Sequence, residues 1–422
     1  MSTLPRELAD GLVLRTARAG DREAIVALEV AAFGESDEPI VRSRLGGLDS
    51  AGRAEDPVDH PARWLVVEDP SGGGRLVSAS VLLSHRLRLG EVTVPIGQIE
   101  NVATDPTYRR RRLVRSQFDA HHQASAERGD LAILITGIPY LYRRLGYGYG
   151  LDYPTIHLPT TDNLGDPGPD HVRPAQDSDL AGILRLDLGR PTEHLRIVRD
   201  ESAWRRTLDR SVATRFEQLV VAQREGQIVG FAQLEARPGA ERLYVQPAMA
   251  ADDQAARALL HHAVTQGAAY GELVVAFDNP GTTYGQVLGG VGGPVHHSHG
   301  IYVRVPDAVA LVDALRPVLS ERLAASRFAD RRGVLSVSLY ESGVSISYDQ
   351  GVVTDVAPTD AVEDPFESEG VGIPPDLVGA LVFGRFGAEA LQHRVDDVTL
   401  GRHAGLMEVL FPRLQAELLA DL

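Results

Sequence analysis

The 422 residues carry 42 Lys and Arg against 58 Asp and Glu, a net charge of −16, with 43% hydrophobic residues and no cysteine. Such a chain is long enough for two or three cores and too apolar to be disordered throughout. The absent cysteines exclude disulfides, thiolate metal sites and a cysteine nucleophile, and the acidic surplus argues against nucleic acid as a partner.

In chain order, an apolar run at 12–14 reads as a strand, and Asp21 heads a helical pattern through Ile25, Leu28 and Phe33. Strand-like runs at 64–67 and 76–83 flank Asp69-Pro70-Ser71-Gly72-Gly73-Gly74, which predicts a hairpin turn. Neither a lysine nor a Ser/Thr follows those glycines at the spacing of a phosphate loop. A further strand at 92–102 runs into the arginines 109–112, then a helix over 113–128 and a buried-type strand at 131–135.

A linker composition at 162–169 precedes a return of the opening pattern. Leu14-Arg15-Thr16-Ala17 corresponds to Val172-Arg173-Pro174-Ala175, and Asp21 to Asp179, at one constant offset. Strands at 219–221 and 228–234 around Glu225-Gly226 repeat the earlier hairpin, which points to an internal duplication. A third segment starts near Pro306, with a helical run through Leu311, Leu315 and Leu319 and alternating strands at 334–340 and 344–348. Helical patterns at 375–382 and 414–422 complete it.

The chemistry concentrates between residues 99 and 150. A strand ending at Val102-Ala103-Thr104 passes Asp105-Pro106 and meets Arg109, Arg110, Arg111 and Arg112 at the start of a helix. Helix N-terminal N–H groups bind anions, and guanidinium groups add charge-assisted contacts, so this segment can cradle a pyrophosphate. Asp105 suits a helix cap as well as any catalytic role. The histidines 296, 297 and 299 lie among glycines without a metal-ligand pattern and predict a polar loop or strand end, and no metal is expected. His121, His122, His261 and His262 fall on helical stretches and are expected to be partly exposed.

The arginine turn, followed by Tyr142-Arg143-Arg144-Leu145-Gly146-Tyr147, resembles the GCN5-related N-acetyltransferase superfamily. The three-part layout resembles its enhanced-intracellular-survival branch. That resemblance implies an α/β (α+β) fold over the whole chain. It comprises tandem acetyltransferase folds with mixed central sheets, a catalytic one at 1–160 and a degenerate one at 170–304, then a sterol-carrier-like α+β domain at 305–422. It further implies acetyl-CoA as acetyl donor and a primary amine as acceptor, with direct transfer in a ternary complex. A homo-oligomer, a hexamer in that branch, is implied as well, while residues 1–11 lack a signal-peptide pattern and predict a cytoplasmic location. No stretch long and apolar enough for a membrane span interrupts the sequence.

Carried over by position, Val102, Ala103 and Thr104 would pair with the pantetheine. The turn from Arg109 through Arg112 to Leu113 and Val114 would hold the pyrophosphate, and Arg144 would make a secondary contact with the cofactor. Tyr142 would be the general acid that protonates the departing thiolate, and the carboxylate of Leu422 the general base, with Glu100 as the alternative base. Two departures stand out. Arg112 occupies the place of the family's first turn glycine, and the 411–422 tail lacks an extended aromatic ending. They keep a scaffold without catalysis open as another reading, and the third domain keeps open a carrier of apolar ligands.

Overall fold

The computed structural model describes residues 4–46, 53–55, 61–190, 194–213, 217–236, 241–279, 281–291, 294–295, 300–362 and 364–417. Three sheets organise it. The first half contributes β1 (Val13–Thr16), α1 (Arg22–Phe33), α2 (Glu38–Arg44), β2 (Pro61–Asp69), β3 (Arg75–Leu89), β4 (Val92–Thr104), α3 (Leu113–Arg128), β5 (Ala132–Ile135) and β6 (Gly148–Leu151). β7 (Ile156–His157) then leads into the second half. That half holds β8 (His171–Pro174), α4 (Leu180–Leu188), β9 (Leu195–Ile197), β10 (Glu217–Arg224), β11 (Gln227–Ala236), β12 (Arg242–Ala250), α5 (Asp253–Tyr270), β13 (Leu273–Phe277) and β14 (Pro294–Val295).

The two halves build sheets of the same order. The first runs β1-β2-β3-β4-β5-β15-β6, where β15 is Ile301–Arg304, and the second runs β8-β10-β11-β12-β13-β7-β14. In both, antiparallel neighbours lead to one parallel pair, β4 with β5 and β12 with β13. Each half also receives a strand from across the sequence boundary. β15 enters the first sheet between β5 and β6, and β7 enters the second between β13 and β14. The expected limits at 160 and 170–304 therefore do not follow the sheets: β7 lies before the first limit and β15 inside the second segment. Backbone hydrogen bonding between strands far apart in sequence leaves no local composition signal.

β3 is buried along nearly its whole length, Ser78, Ser80 and His85 included, because helices cover both faces. On one face α1 packs Ile25 and Val26 against Trp64, Val66, Ala79 and Val81. On the other, Leu113 of α3 meets Leu14, Leu65, Val67 and Val77, and Phe118 meets Leu82 and Ile99.

The third unit has α6 (Ala308–Ala314), α7 (Arg316–Ala324), β16 (Arg332–Ser338), β17 (Gly343–Asp349), β18 (Val352–Thr359), β19 (Val371–Gly372) and α8 (Val378–Val382). Its four-stranded sheet runs β18-β17-β16-β19. Its core is continuous with Leu87, Ile96, Leu134 and Val303 of the first sheet. The approach is closest at β6: a side chain at Gly148 would put its first carbon 1.9 Å from the Asp376 carbonyl oxygen, and one at Gly150 would meet Val303 and the Gly379 backbone. Only glycine lets the two backbones meet here.

Two expectations need correction. The described part of the tail is not helical: Ala416–Glu417 form a strand, β20, parallel to β9, which itself pairs with Arg88 and Leu87 of β3. Tertiary strand pairing has overridden the local helical pattern. His121 is fully buried, because its α3 face lies on the sheet and its Nε2 stands 2.9 Å from Ser80 Oγ. Among the described residues no helix is long and apolar enough to cross a membrane.

Candidate active site

The site begins where two parallel strands part. β4 pairs with β5 only at Ile96, Gly97 and Gln98, then continues alone on that edge to Thr104 while staying paired to β3. A bulge opposite Ser80 separates the pairs Val81–Glu100 and Ala79–Ala103, and Asn101 within it is left-handed, with φ of 50°. Beyond Gln98 the strand therefore offers backbone groups that β5 does not take up. Val102, Ala103 and Thr104 lie on this stretch. Beneath it, Ser78 Oγ stands 2.8 Å from the Ala103 carbonyl oxygen, from Thr104 Oγ1 and from Gln117 Oε1, which fixes the strand end to α3.

The turn that follows is pinned at its base and open at its tip. Asp105 Oδ1 accepts from the Thr107 N–H at 2.8 Å and hydroxyl at 2.6 Å, and Asp105 also pairs with Arg75. The Thr107 bonds, then Arg75, hold its carboxyl below the usual range. Tyr108 donates to Asp69 Oδ2 at 2.5 Å, which, with Ser71, holds Asp69 down at about 2. Asp105 is thus the cap of a short turn over Pro106–Tyr108.

Arg110 and Arg112 both adopt left-handed backbone, with φ of 67° and 62°. Arg112 keeps the conformation for which glycine is the ordinary choice, so its side chain replaces hydrogen without changing the path of the turn. Its side chain is exposed. It is also the residue that caps α3, and among the described residues no side chain closes that N-terminus. Leu113 and Val114 supply the first free N–H groups, although the Leu113 side chain is buried in the core. Arg111 is drawn aside to Asp10 at 3.3 Å and lies over the Tyr108 ring. Arg109 ends a cleft of about 330 Å³ floored by Ala24, Ala27, Leu28 and Ala31 of α1 and reaching Thr104. An uncapped helix end beside exposed guanidiniums fits a pyrophosphate.

The second half closes the same position against anions. Asp252 precedes α5 and accepts from the Ala255 N–H at 2.9 Å, and Arg224 pairs with it at 2.7 Å. A carboxylate already occupies the helix end that α3 leaves open.

Across the parted strands lies Tyr142, at the head of a turn over Tyr142–Leu145 that Gly146 ends with φ of 85°. This explains the spacing: left-handed Gly146 stops the turn and drives Tyr147 into the core. The Tyr142 ring stacks on Phe118 at 5.7 Å and meets Tyr302 edge-on at 5.5 Å. A first side-chain carbon at Gly137 would sit 3.2 Å from the Tyr142 hydroxyl. Burial, then the charge of Glu100, pushes the phenol well above its ordinary value, so it stays protonated at neutral pH. Arg144 is exposed and lies over the Tyr140 ring, on the tyrosine loop rather than in the arginine turn.

Glu100 faces the same space. Its Oε1 accepts from Gln98 at 3.1 Å and from the Thr136 hydroxyl at 3.3 Å, and Arg44 stands 4.0 Å from Oε2. Behind it, Glu29 of α1 is fully buried and takes a long 3.4 Å bond from Asn101 Nδ2, while Arg44 donates to Asn101 Oδ1 at 2.7 Å. Burial lifts Glu29 to about 9. Sequence reasoning passed over Glu29, although its place four residues after Ile25 on an apolar helix face was a readable signal. It also passed over Tyr302, for which no local signal exists. Leu422 and the histidines 296, 297 and 299 lie outside the described residues.

Residues 13–150 match the acetyltransferase (GNAT) domain family. The N-acetyltransferase Eis of Mycobacterium tuberculosis is 33% identical over 135 residues, 31% of this chain and 31% of the relative. The match thus spans about a third of the curated relatives' length. Among solved structures, a GCN5-related N-acetyltransferase from Kribbella flavida superposes with a TM-score of 0.67 at 20% identity, covering 96% of this chain and 97% of that one. Eis1 from Mycobacterium abscessus superposes with a TM-score of 0.57 at 16% identity, covering 97% and 99%. These two likenesses show the fold, a mixed α/β architecture over nearly the whole chain.

Proposed function

We propose that the chain, which carries a GNAT acetyltransferase domain at residues 13–150, transfers an acetyl group from acetyl-CoA to a primary amine in a ternary complex. One observation carries this reading. The open edge of β4, the uncapped N-terminus of α3 with Arg109 and Arg110, and the protonated Tyr142 facing Glu100 all border the gap where β4 leaves β5.

Acetyl-CoA, when bound, supplies the activated acetyl group. Arg109, Arg110 and the N–H groups of Leu113 and Val114 hold the pyrophosphate, and Val102 to Thr104 offer backbone partners to the pantetheine. Backbone N–H groups beyond Gln98 stabilise negative charge on the attacked carbonyl oxygen. Tyr142 keeps its proton until the leaving thiolate takes it. The amine gives up its proton to a carboxylate. The C-terminal carboxylate of Leu422 is the first choice, supported by the tether of β20 to the first sheet through β9. Glu100 acting through water is the second, supported by its charge acting on Tyr142. A one-residue C-terminal extension and Glu100→Gln separate the two: the base is the one whose alteration flattens the acid limb of the pH–rate profile.

A carrier role finds little support in the third unit, where the apolar space among Val312, Ile346, Leu381 and Phe411 encloses about 20 Å³, room for no more than a water molecule. The test of the enzyme reading is thiol release from acetyl-CoA across a panel of polyamines, aminoglycosides and lysine peptides. Amine-dependent release supports it; saturable binding of acetyl-CoA with no release for any amine class supports the scaffold reading.

A further inference from the structure

Tyr302 reaches the candidate site from outside the segment that matches the acetyltransferase domain. It lies on β15, where it pairs with Ile135 of β5 on one side and Tyr149 of β6 on the other. It is fully buried. Its hydroxyl oxygen accepts the backbone N–H of Tyr140 at 2.6 Å, across 162 positions of sequence.

That bond matters because of what it holds. The loop at 137–141 contains two left-handed residues, Gly137 with φ of 129° and Tyr140 with φ of 69°. Its Ile138, Tyr140 and Leu141 side chains are exposed, so they contribute little packing. Pro139 has no N–H to give. Residues 139–141 form a turn that runs into the Tyr142–Leu145 turn, and the Tyr302 hydroxyl takes up the Tyr140 N–H from outside it. The loop ends directly at Tyr142. Tyr302 thus touches the path to Tyr142 twice, through the Tyr140 N–H and through its ring edge at 5.5 Å.

Tyr302 is itself locked. Its ring stacks on Tyr149 at 4.1 Å with 23° between planes. Tyr149 lies under the guanidinium of Arg385 from the third unit, 5.3 Å from the ring centre, and Arg385 also donates to Asp152 at 2.9 Å and to the Tyr149 carbonyl at 3.2 Å. A chain of contacts therefore runs from the third unit through Tyr149 and Tyr302 to the tyrosine loop.

We propose that Tyr302 is a positioning residue for Tyr142: its hydroxyl fixes the 137–141 loop and its ring edge sets the angle of the phenol. This rests on the reading of Tyr142 as the general acid. Misplacing a proton donor by about 1 Å costs on the order of 100-fold in rate, while substrate contacts far from the loop are unaffected.

The experiment is a double-mutant cycle in the full-length protein with Tyr302→Phe and Tyr142→Phe, read by steady-state turnover and by acetyl-CoA affinity. Tyr302→Phe keeps the buried ring and removes only the hydroxyl. The expected result is a fall in kcat of about tenfold or more. KM for both substrates should stay within about twofold and the thermal midpoint should hardly move. In the Tyr142→Phe background Tyr302→Phe should lower kcat no further, because there is no proton left to aim. An equal loss in both backgrounds, or no loss in either, overturns the proposal. Wild-type turnover by Tyr142→Phe overturns the general-acid reading itself, and the proposal with it. If Tyr302→Phe lowers the thermal midpoint markedly, Tyr149→Leu, which removes the ring that Tyr302 stacks on, replaces it in the same cycle under the same criteria.

Discussion

Arg173 grips Asp179 with two hydrogen bonds, NH1 to Oδ2 at 2.7 Å and NH2 to Oδ1 at 2.9 Å. Arg15 grips Asp21 in the same way at 2.6 and 3.0 Å. The likeness extends to the surroundings. Each NH1 also donates to the next residue's carbonyl at 3.1 Å, and each aspartate accepts a backbone N–H from three residues before it, at 2.7 Å from Arg18 and 2.8 Å from Gln176. The two halves thus share a bidentate clamp joining the first strand to the first helix, while the arginine turn belongs to the first half alone among the described residues. The clamp serves the fold in both halves, since each pair has a nearly buried member, Arg15 in the first and Asp179 in the second, that would be left without its counter-charge. Asp179→Ala should therefore destabilise the second half by about 1–3 kcal/mol and leave acetyl-CoA affinity unchanged, as chemical denaturation and calorimetry would show.

Arg109 and Arg110 are exposed and have no ion-pair partner among the described residues, so their charge is free for a ligand. Arg109→Ala is expected to weaken acetyl-CoA binding by about tenfold at low salt, one charge-assisted contact's worth, and by less as salt is raised. Arg111→Ala should change affinity far less, because Asp10 already engages that guanidinium. Titrations at two ionic strengths would check both.

Glu29 gives the fold a pH dependence. In an unfolded chain this carboxyl titrates near 4.5, whereas burial lifts it to about 9 in the folded protein. Folding therefore takes up a proton at neutral pH. The stability this proton provides is complete below the unfolded value and is lost as pH rises through 9, at a slope of up to about 1.4 kcal/mol per pH unit. Asn101 and Arg44 oppose the shift, and Asp37 and Glu100 add to it. Glu29→Gln should flatten the dependence, so that urea midpoints of the two proteins diverge in favour of the variant between about pH 6 and pH 9.

The contact of the third unit with β6 makes a steric prediction. A methyl group at Gly148 cannot coexist with the Asp376 carbonyl 1.9 Å away, so Gly148→Ala should force the 375–379 backbone off the sheet. We expect at least 1–3 kcal/mol of destabilisation and faster proteolysis between residues 305 and 417, with secondary structure otherwise retained. Gly20→Ala, with open space around it and no left-handed backbone, is the control for glycine loss as such.

How far the sequence could be read depended on the range of the forces involved. The strands of β3 and β4, the Gly72–Gly74 hairpin turn and the arginine-bearing start of α3 are written in local pattern, and so was the order of the repeated half. The exchange of β7 and β15 was not legible, because pairing partners more than a hundred residues apart leave no trace in either segment. Tyr302 was invisible for the same reason. The tail reads as a helix by its leucines and is a strand at Ala416–Glu417 because β9 is there to pair with it. At Arg112 the residue type argued against the turn, yet the backbone held the left-handed conformation that the position requires.

That position is where the account is most exposed. Calorimetric titration of the intact protein with acetyl-CoA, beside Arg112→Gly, tests it directly. With the turn already in the glycine-like conformation, both proteins should bind one acetyl-CoA with affinities within about tenfold. The variant should also be more stable by about 1 kcal/mol, from relief of the left-handed residue. No binding by either protein would contradict the assignment of the arginine turn and the α3 N-terminus as the acetyl-CoA site, and with it the proposed transfer.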